Sequence, residues 1–458
     1  MKVLLISANT YNRPYPVYPL GLDYVAGAID DRHTVEISDI NTLTEGRLLE
    51  NRLADFCPDL IGISLRNVDT SDSTDPQGFL DVYKALGARI RAVTRAPVVL
   101  GGSAFTLFPE AFLEAMGADF GILGEGERIA LLIEALERGD DPAAVAGVIG
   151  PGGNCKTPGP WSGPCRRRIG RVDDPDAHTT YYLRQGGMLN IQSKRGCRFR
   201  CIYCTYPYIE GRRIRLFSPA LVAETARCLQ EAGASYLFMA DATFNTDIDH
   251  SLAVARAMTA AGVSIPWGAF FAPMRHPPDY FKQMAAAGLT HVEFGTESLS
   301  APVLSAYGKP FSPPEAFAAH RAAVDAGLHT AHYFLLGGPG ETPKTLEETL
   351  AGAEKLAAAA ALFFFCGMRI YPHTPLANLA RKEGVISPET DLLTPVFYPN
   401  HRVDLNKLAL GLKEAGRRRS NWIVGAGGEQ TASVLQRLYR RGRSGPLWEK
   451  LIPPSAKG

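Results

Sequence analysis

Lys194-Arg195-Gly196-Cys197-Arg198-Phe199-Arg200-Cys201-Ile202-Tyr203-Cys204 crowds three of the chain's eight cysteines into eight positions. Spacings of three and then two residues let one loop wrap three corners of an iron–sulfur cube, one thiolate to an iron, and leave the fourth iron open. Lys194, Arg195, Arg198 and Arg200 flank the trio and favour thiolates and an anionic cluster. Structural zinc is the competing reading, but it needs four ligands, and no fourth Cys or His stands nearby. Cys197, Cys201 and Cys204 are therefore the expected metal ligands and catalytic centre, holding a [4Fe–4S] cluster. Of the other cysteines, Cys57, Cys228 and Cys366 sit in apolar contexts and read as core residues. Cys155 and Cys165 lie in a Gly/Pro-rich loop, where a zinc or redox role is the less favoured reading.

Working outward, the trio follows an apolar run, Met188–Ser193. Further strand patterns come at Tyr236–Met239, Ser264–Phe271, His291–Gly295, His329–Leu336 and Leu362–Ile370. Helical patterns intervene at Pro219–Ala232, Ile248–Ala261, Pro278–Ala287, Pro314–Ala326 and Thr345–Ala361. Six βα units predict a partial barrel with its chemistry at the carboxyl ends of the strands. Upstream, five strand patterns (Lys2–Ser7, Thr34–Ile40, Leu60–Leu65, Pro97–Leu100, Phe120–Leu123) alternate with helices, which predicts a Rossmann-like, doubly wound parallel sheet. The expected class is α/β: a sheet domain over 1–140, a linker over 141–185, the partial barrel over 186–385 and a helical C-terminal region over 386–458. In that last region helices are expected at Leu405–Ile423 and Thr431–Arg443. Their Arg417–Arg419 and Arg440-Arg441 runs read as solvated faces.

In doubly wound sheets the ligand crevice lies beyond the carboxyl ends of the strands. Those ends carry Thr10, then Asn67 and Val68, then Gly101, Gly102 and Ser103, then Gly124 and Glu125. Glycines there either let backbone approach a ligand or make tight turns; four such loops on one edge favour a ligand.

Lys+Arg 48 against Asp+Glu 47 argues against a large nucleic-acid footprint. The N-terminus lacks a cleavage-site pattern, and the longest apolar run, Leu356–Met368, is shorter than a membrane span, so a cytoplasmic protein is expected.

Cys-x-x-x-Cys-x-x-Cys, with Tyr203 before the last cysteine, resembles the signature of the radical S-adenosylmethionine (SAM) superfamily. Over about Met1 to Gly384 the chain is more closely similar to its subgroup with an N-terminal cobalamin-binding domain, the class B methylases. That resemblance implies SAM bound at the open iron and cobalamin in the first domain. It also implies a small-molecule substrate and an external electron donor such as flavodoxin or ferredoxin. Related enzymes place a contact to the SAM amino group after the second strand, which here gives Asp241 or Asn245. Glu297, ending the fourth strand, becomes a candidate for SAM recognition, and the backbone of Met368 to Ile370 for the adenine. Plainer roles stand beside these: Asp241 and Asn245 as helix caps, Glu297 in an internal ion pair, Gly337–Thr342 as a turn and helix start, His373 as a structural loop residue. The Asp-x-His-x-x-Gly motif that supplies an axial histidine to cobalamin is absent. His33, in Asp30-Asp31-Arg32-His33, does not fit it, so base-off cobalamin without a histidine ligand is expected. The implied activity is methylation of an unactivated carbon through a 5′-deoxyadenosyl radical and methylcobalamin. Rival readings are a radical cyclase or rearrangement enzyme, and a non-catalytic cobalamin or redox carrier.

Overall fold

The computed structural model describes residues 1–12, 15–43, 48–163, 165–169, 178–425 and 429–453. The chain divides into two compact units. One comprises Met1–Tyr11, Tyr18–Thr70 and Gln77–Tyr181; the other comprises Asn12–Val17, Ser71–Pro76 and Tyr182–Gly458.

In the first unit, strands β1 (Lys2–Ser7), β2 (Thr34–Asp39), β3 (Leu60–Ser64), β4 (Val98–Gly101), β5 (Phe120–Ile122) and β6 (Val148–Ile149) form one sheet. The order is β2-β1-β3-β4-β5-β6, parallel except for β6. Val3, Leu4, Leu5 and Ile6 are all fully buried, as a central parallel strand covered on both faces requires. The order reverses between β1 and β3, which puts the ligand crevice of such a sheet at their carboxyl ends. Strand β6 comes from the stretch read as linker, and more of that stretch is packed down. Buried Arg167 donates to Asp23 at 2.7 Å, and the Tyr18 hydroxyl and His178 converge on the same carboxylate. Residues 164 and 170–177 of the linker lie outside the described residues.

The second unit contains β7 (Met188–Ile191), β8 (Lys194–Arg195), β9 (Arg215–Leu216), β10 (Tyr236–Met239), β11 (Trp267–Phe271), β12 (Leu289–Glu297), β13 (His329–Leu336), β14 (Ala360–Cys366), β15 (Met368–Arg369), β16 (Phe397–Tyr398) and β17 (Trp422–Val424). Seven are parallel in the order β17-β14-β13-β12-β11-β10-β7, with helices on the connections. Side chains alternate across the sheet. Leu362, Phe364 and Cys366 pack with Ala316, Ala353 and Leu356 of the helices, while Phe363 points the other way, toward Trp448 and Leu451.

Three sequence expectations need correction. Trp422–Val424 is a strand, and the helix expected over Leu405–Ile423 stops at Arg418. The open edge of β14 takes these residues, pairing Leu362 with Trp422 and Phe364 with Val424. The strand expected over Leu362–Ile370 breaks at Gly367, whose φ is +86°. Cys366 is buried as expected and Cys228 half-buried, but Cys57 is exposed: it ends the helix Leu49–Phe56 in a left-handed conformation.

Candidate active site

The three-cysteine loop leaves the carboxyl end of β7 and is fixed by its neighbours at every turn. Gly196 has φ +85°, and a Cβ there would lie 2.3 Å from the Arg213 carbonyl oxygen, so only glycine lets the two backbones pass. Cys197 N donates to Gly211 O, Ile202 N to Tyr307 O and Leu376 N to Ile202 O. Buried Lys194 anchors the loop's root, reaching Asp241 at 3.0 Å and Phe244 O at 2.7 Å. Burial pushes the Cys197 and Cys201 thiols up and that of Cys204 to about 12, so metal loading must displace their protons. Cys197 and Cys201 each add to the upward push that burial gives the Cys204 thiol. Among the described residues no three His, Cys, Asp or Glu side chains gather around one point as a mononuclear ion needs; ligands at separate corners of a cubane stand apart. Three thiols on one glycine-hinged loop suit the chemistry of thiolate ligands to an iron–sulfur cluster.

Beside the thiols lies a group that sequence reasoning missed. The Lys309 ammonium is buried, 3.2 Å from Glu297 Oε1 and 3.4 Å from the Tyr203 hydroxyl, which itself donates to Glu297 at 2.7 Å. Burial opposes the charge on Lys309, but Glu297 and the thiols of Cys201 and Cys204 outweigh it and raise its pKa. Lys309 stands 105 positions beyond Cys204 in a Gly-Lys-Pro turn, where no spacing advertises it. Half-buried Glu210 accepts through its carboxylate from Gly196 N at 3.0 Å.

The residues expected to hold SAM divide. Tyr203 and Glu297 stand together at the cluster loop, and Glu297 also makes the internal ion pair weighed as its plainer role. Asp241 accepts from Ser193 N at 2.8 Å and from Lys194; Asn245 bonds both the N–H and the carbonyl of Ala272 at 2.9 Å. Neither caps the next helix, a place held by Asp247. Met368 and Ile370 are fully buried, Met368 pairs with Tyr398, and Ile370 N donates to Val396 O. Thr342 caps the helix from Pro343, and His373 stacks on Tyr208 with centroids 3.9 Å apart.

In the first unit the expected ligand residues do line the carboxyl ends of β1, β3, β4 and β5. Gly102 has φ +98°, and a Cβ there would meet Leu65 O at 2.5 Å. Ser103 donates to Arg66 O at 2.7 Å, the Gly124 N–H to Thr106 at 3.0 Å, and Glu125 accepts from Trp161 N. Thr10 is exposed and Val68 buried. Asn9 ties the edge together: its carbonyl accepts from Asn41 at 2.7 Å and its side chain from Asn67 at 3.3 Å. Asn41 is a further polar group there that the sequence did not single out. His33 sits at the opposite end of the sheet, 3.0 Å from the terminal amine of Met1.

Residues 6–133 match the B12 binding domain and residues 191–351 the radical SAM superfamily. The chain therefore carries a B12 binding domain followed by a radical SAM domain. It is 27% identical to an uncharacterized methyltransferase of Pyrococcus horikoshii over 398 residues, 83% of this chain and 84% of that one. It is 25% identical to the tryptophan 2-C-methyltransferase of Streptomyces laurentii over 82% of this chain and 74% of that one. Its fold is that of the radical S-adenosylmethionine methyltransferase TsrM from Kitasatospora setae, solved with tryptophan and a SAM analogue, with TM-score 0.87 over 98% of both chains at 22% identity.

Proposed function

We propose that this protein is a cobalamin-dependent radical SAM methyltransferase that places a methyl group on an unactivated carbon of a small molecule. The observation that carries this reading is the union, in one chain, of a B12 binding domain with a loop offering three thiols and no fourth ligand. The relatives named as methyltransferases support it, and tryptophan, the substrate of one of them, marks the size of molecule expected. Bound together, the cluster, SAM and cobalamin supply an electron, a carbon radical and a transferable methyl group.

The chain's own part is placement. Cys197, Cys201 and Cys204 hold the cluster and leave one corner for SAM. In this reading Tyr203 and Glu297 orient SAM, with Lys309 fixing the Glu297 carboxylate. Asp241 and Asn245 brace the loop and the end of β11, and in this reading reach SAM through the backbone they position. The polar edge from Thr10, Asn67 and Val68 to Gly101, Gly102, Ser103, Gly124 and Glu125 cradles a base-off corrin, with no histidine in reach. Electrons come from an external one-electron carrier, and a reducing compartment such as the cytoplasm keeps the thiols available.

The test is anaerobic purification with cobalamin supplied, followed by product analysis. Methyl transfer yields S-adenosylhomocysteine alongside 5′-deoxyadenosine. Deoxyadenosine alone would replace the reading with a cyclase or rearrangement, and no SAM consumption with any small-molecule substrate would end it.

A further inference from the structure

The parallel strands of the second unit bury one face and leave part of the other open. Phe270 lies within β11 and is 38% exposed, while its neighbours Ala269 and Phe271 are buried. Tyr333 in β13 and Phe365 in β14 are half-buried, while Phe334 and Phe364 beside them in sequence are fully buried against the helices. An inward row that solvent reaches, alternating with an outward row that it does not, marks the open lumen of the partial barrel.

Aromatic rings wall that lumen. Phe270 meets Phe238 edge to face with centroids 5.0 Å apart, and meets Tyr333 the same way at 6.2 Å. Tyr333 stacks on Phe363 at 4.7 Å and on Phe365 at 6.5 Å, so the series crosses β10, β11, β13 and β14. Strands β7, β10, β11, β12, β13, β14 and β17 carry no Lys or Arg, and their acids are Glu293 and Glu297. Glu293 is buried and accepts from the Tyr333 hydroxyl at 2.7 Å and from the Trp448 indole at 2.9 Å. The amino-end side of the lumen is closed, because Trp448 and Leu451 of the 3-10 helix Trp448–Leu451 pack with Ala331, Ala361 and Phe363. In the other direction β12 runs from Glu293 to Glu297, about 13 Å along the strand. There Glu297 meets Lys309 and Tyr203 of the three-cysteine loop. Gly295, between the two acids, adds no side chain to the space below them.

We infer that the lumen takes the substrate by a planar, uncharged aromatic ring, and that Phe270, Tyr333 and Phe365 are the residues that select it. The inference rests on the proposed methyltransferase reading and names the class of molecule that reading leaves open. A further ring packed edge to face or offset on this series gains more than a saturated group of equal apolar area. A phosphate, phosphonate or carboxylate carried to the same place would give up its water with no cation on the strands to receive it. Trp448, held by Glu293, sets the depth to which the ring can enter.

The experiment dialyses three probes, indole, cyclohexylmethanol and ethylphosphonate, to equilibrium against the full-length, cluster-loaded protein. Indole is expected to bind tighter than cyclohexylmethanol by about threefold or more, and ethylphosphonate not to be retained. Phe270→Leu should weaken indole by about threefold or more while leaving cyclohexylmethanol within about twofold, and Phe270→Tyr, which keeps the ring, should hold indole. Phe365→Leu is expected to show the same loss, so the result does not depend on one variant folding. Leu410→Ala, at a 68% exposed position on the helix Leu405–Arg418, should change nothing. Equal binding of cyclohexylmethanol, retention of ethylphosphonate, or indole binding unmoved by either folded leucine variant would each overturn the inference. Dialysis requires neither SAM nor methyl transfer, so failure of the methyltransferase reading would show separately, as absence of S-adenosylhomocysteine.

Discussion

At the residue scale the cluster loop rests on two kinds of group, thiols and buried charge. In the proposed reading each thiol is a corner ligand of the cluster, and replacing one removes that ligand. Cys201→Ala is expected to purify without the visible absorption and bound iron of the wild type, and to cleave no SAM; retained cleavage would end the cluster assignment. Lys309 is a different case, because it holds Glu297 and Tyr203 in place rather than binding metal. A buried ion pair that loses one partner leaves the other charge stranded, at about 3–5 kcal/mol. Lys309→Met in the metal-free protein should therefore lower unfolding stability by about that much, and adding Glu297→Gln should restore most of the loss. A cost below about 1 kcal/mol for the single change would show that the pair does not hold the site.

At the element scale the loop between β13 and the helix Pro343–Leu356 carries a titration of its own. Glu341 is buried and accepts from Gly337 N, and burial pushes its carboxyl up to about 7 despite that hydrogen bond. Its other oxygen has no hydrogen-bond partner among the described residues. A carboxyl whose folded pKa lies above its unfolded value of about 4.3 stabilises the fold while protonated. That contribution is complete below pH about 4 and lost as pH rises through 7. Glu341→Gln should remove this slope, so the variant gains up to about 3 kcal/mol relative to wild type between pH 5 and pH 8. Chemical denaturation at the two pH values decides; a parallel pH dependence would show Glu341 to be ionised throughout.

At the scale of the whole molecule, the second compact unit is not continuous in sequence. It includes Asn12–Val17 and Ser71–Pro76, and Ser71 reaches the Tyr371 hydroxyl at 2.7 Å while Ser73 donates to the Cys366 carbonyl beside the end of β14. A fragment beginning at Met188 loses both segments together with the B12 binding domain. It is expected to bind no hydroxocobalamin after gel filtration and to melt below the full chain. Stoichiometric corrin retained by that fragment would sink the assignment of cobalamin to the first domain. Among the described residues no helix is long and apolar enough to cross a membrane.

The sequence alone determined what depends on neighbours along the chain. All three cysteines of the loop lie within eight positions, so their spacing alone proposes them as one ligand set, and the alternation of apolar runs states both sheets. What the tertiary structure decided depends on partners far apart in sequence, which periodicity and spacing do not record. Strand β17 exists because β14 offers an open edge about 60 residues away; read locally, Trp422–Val424 continues a helix. Asp241 and Asn245 look like ligands in a polar loop, and only the fold shows their polar atoms bonded to the backbone of Ser193 and Ala272. Lys309 reaches Glu297 and Tyr203 because a turn after a distant helix folds back on the loop. Burial then gives its charge a weight that no position in a linear sequence can have.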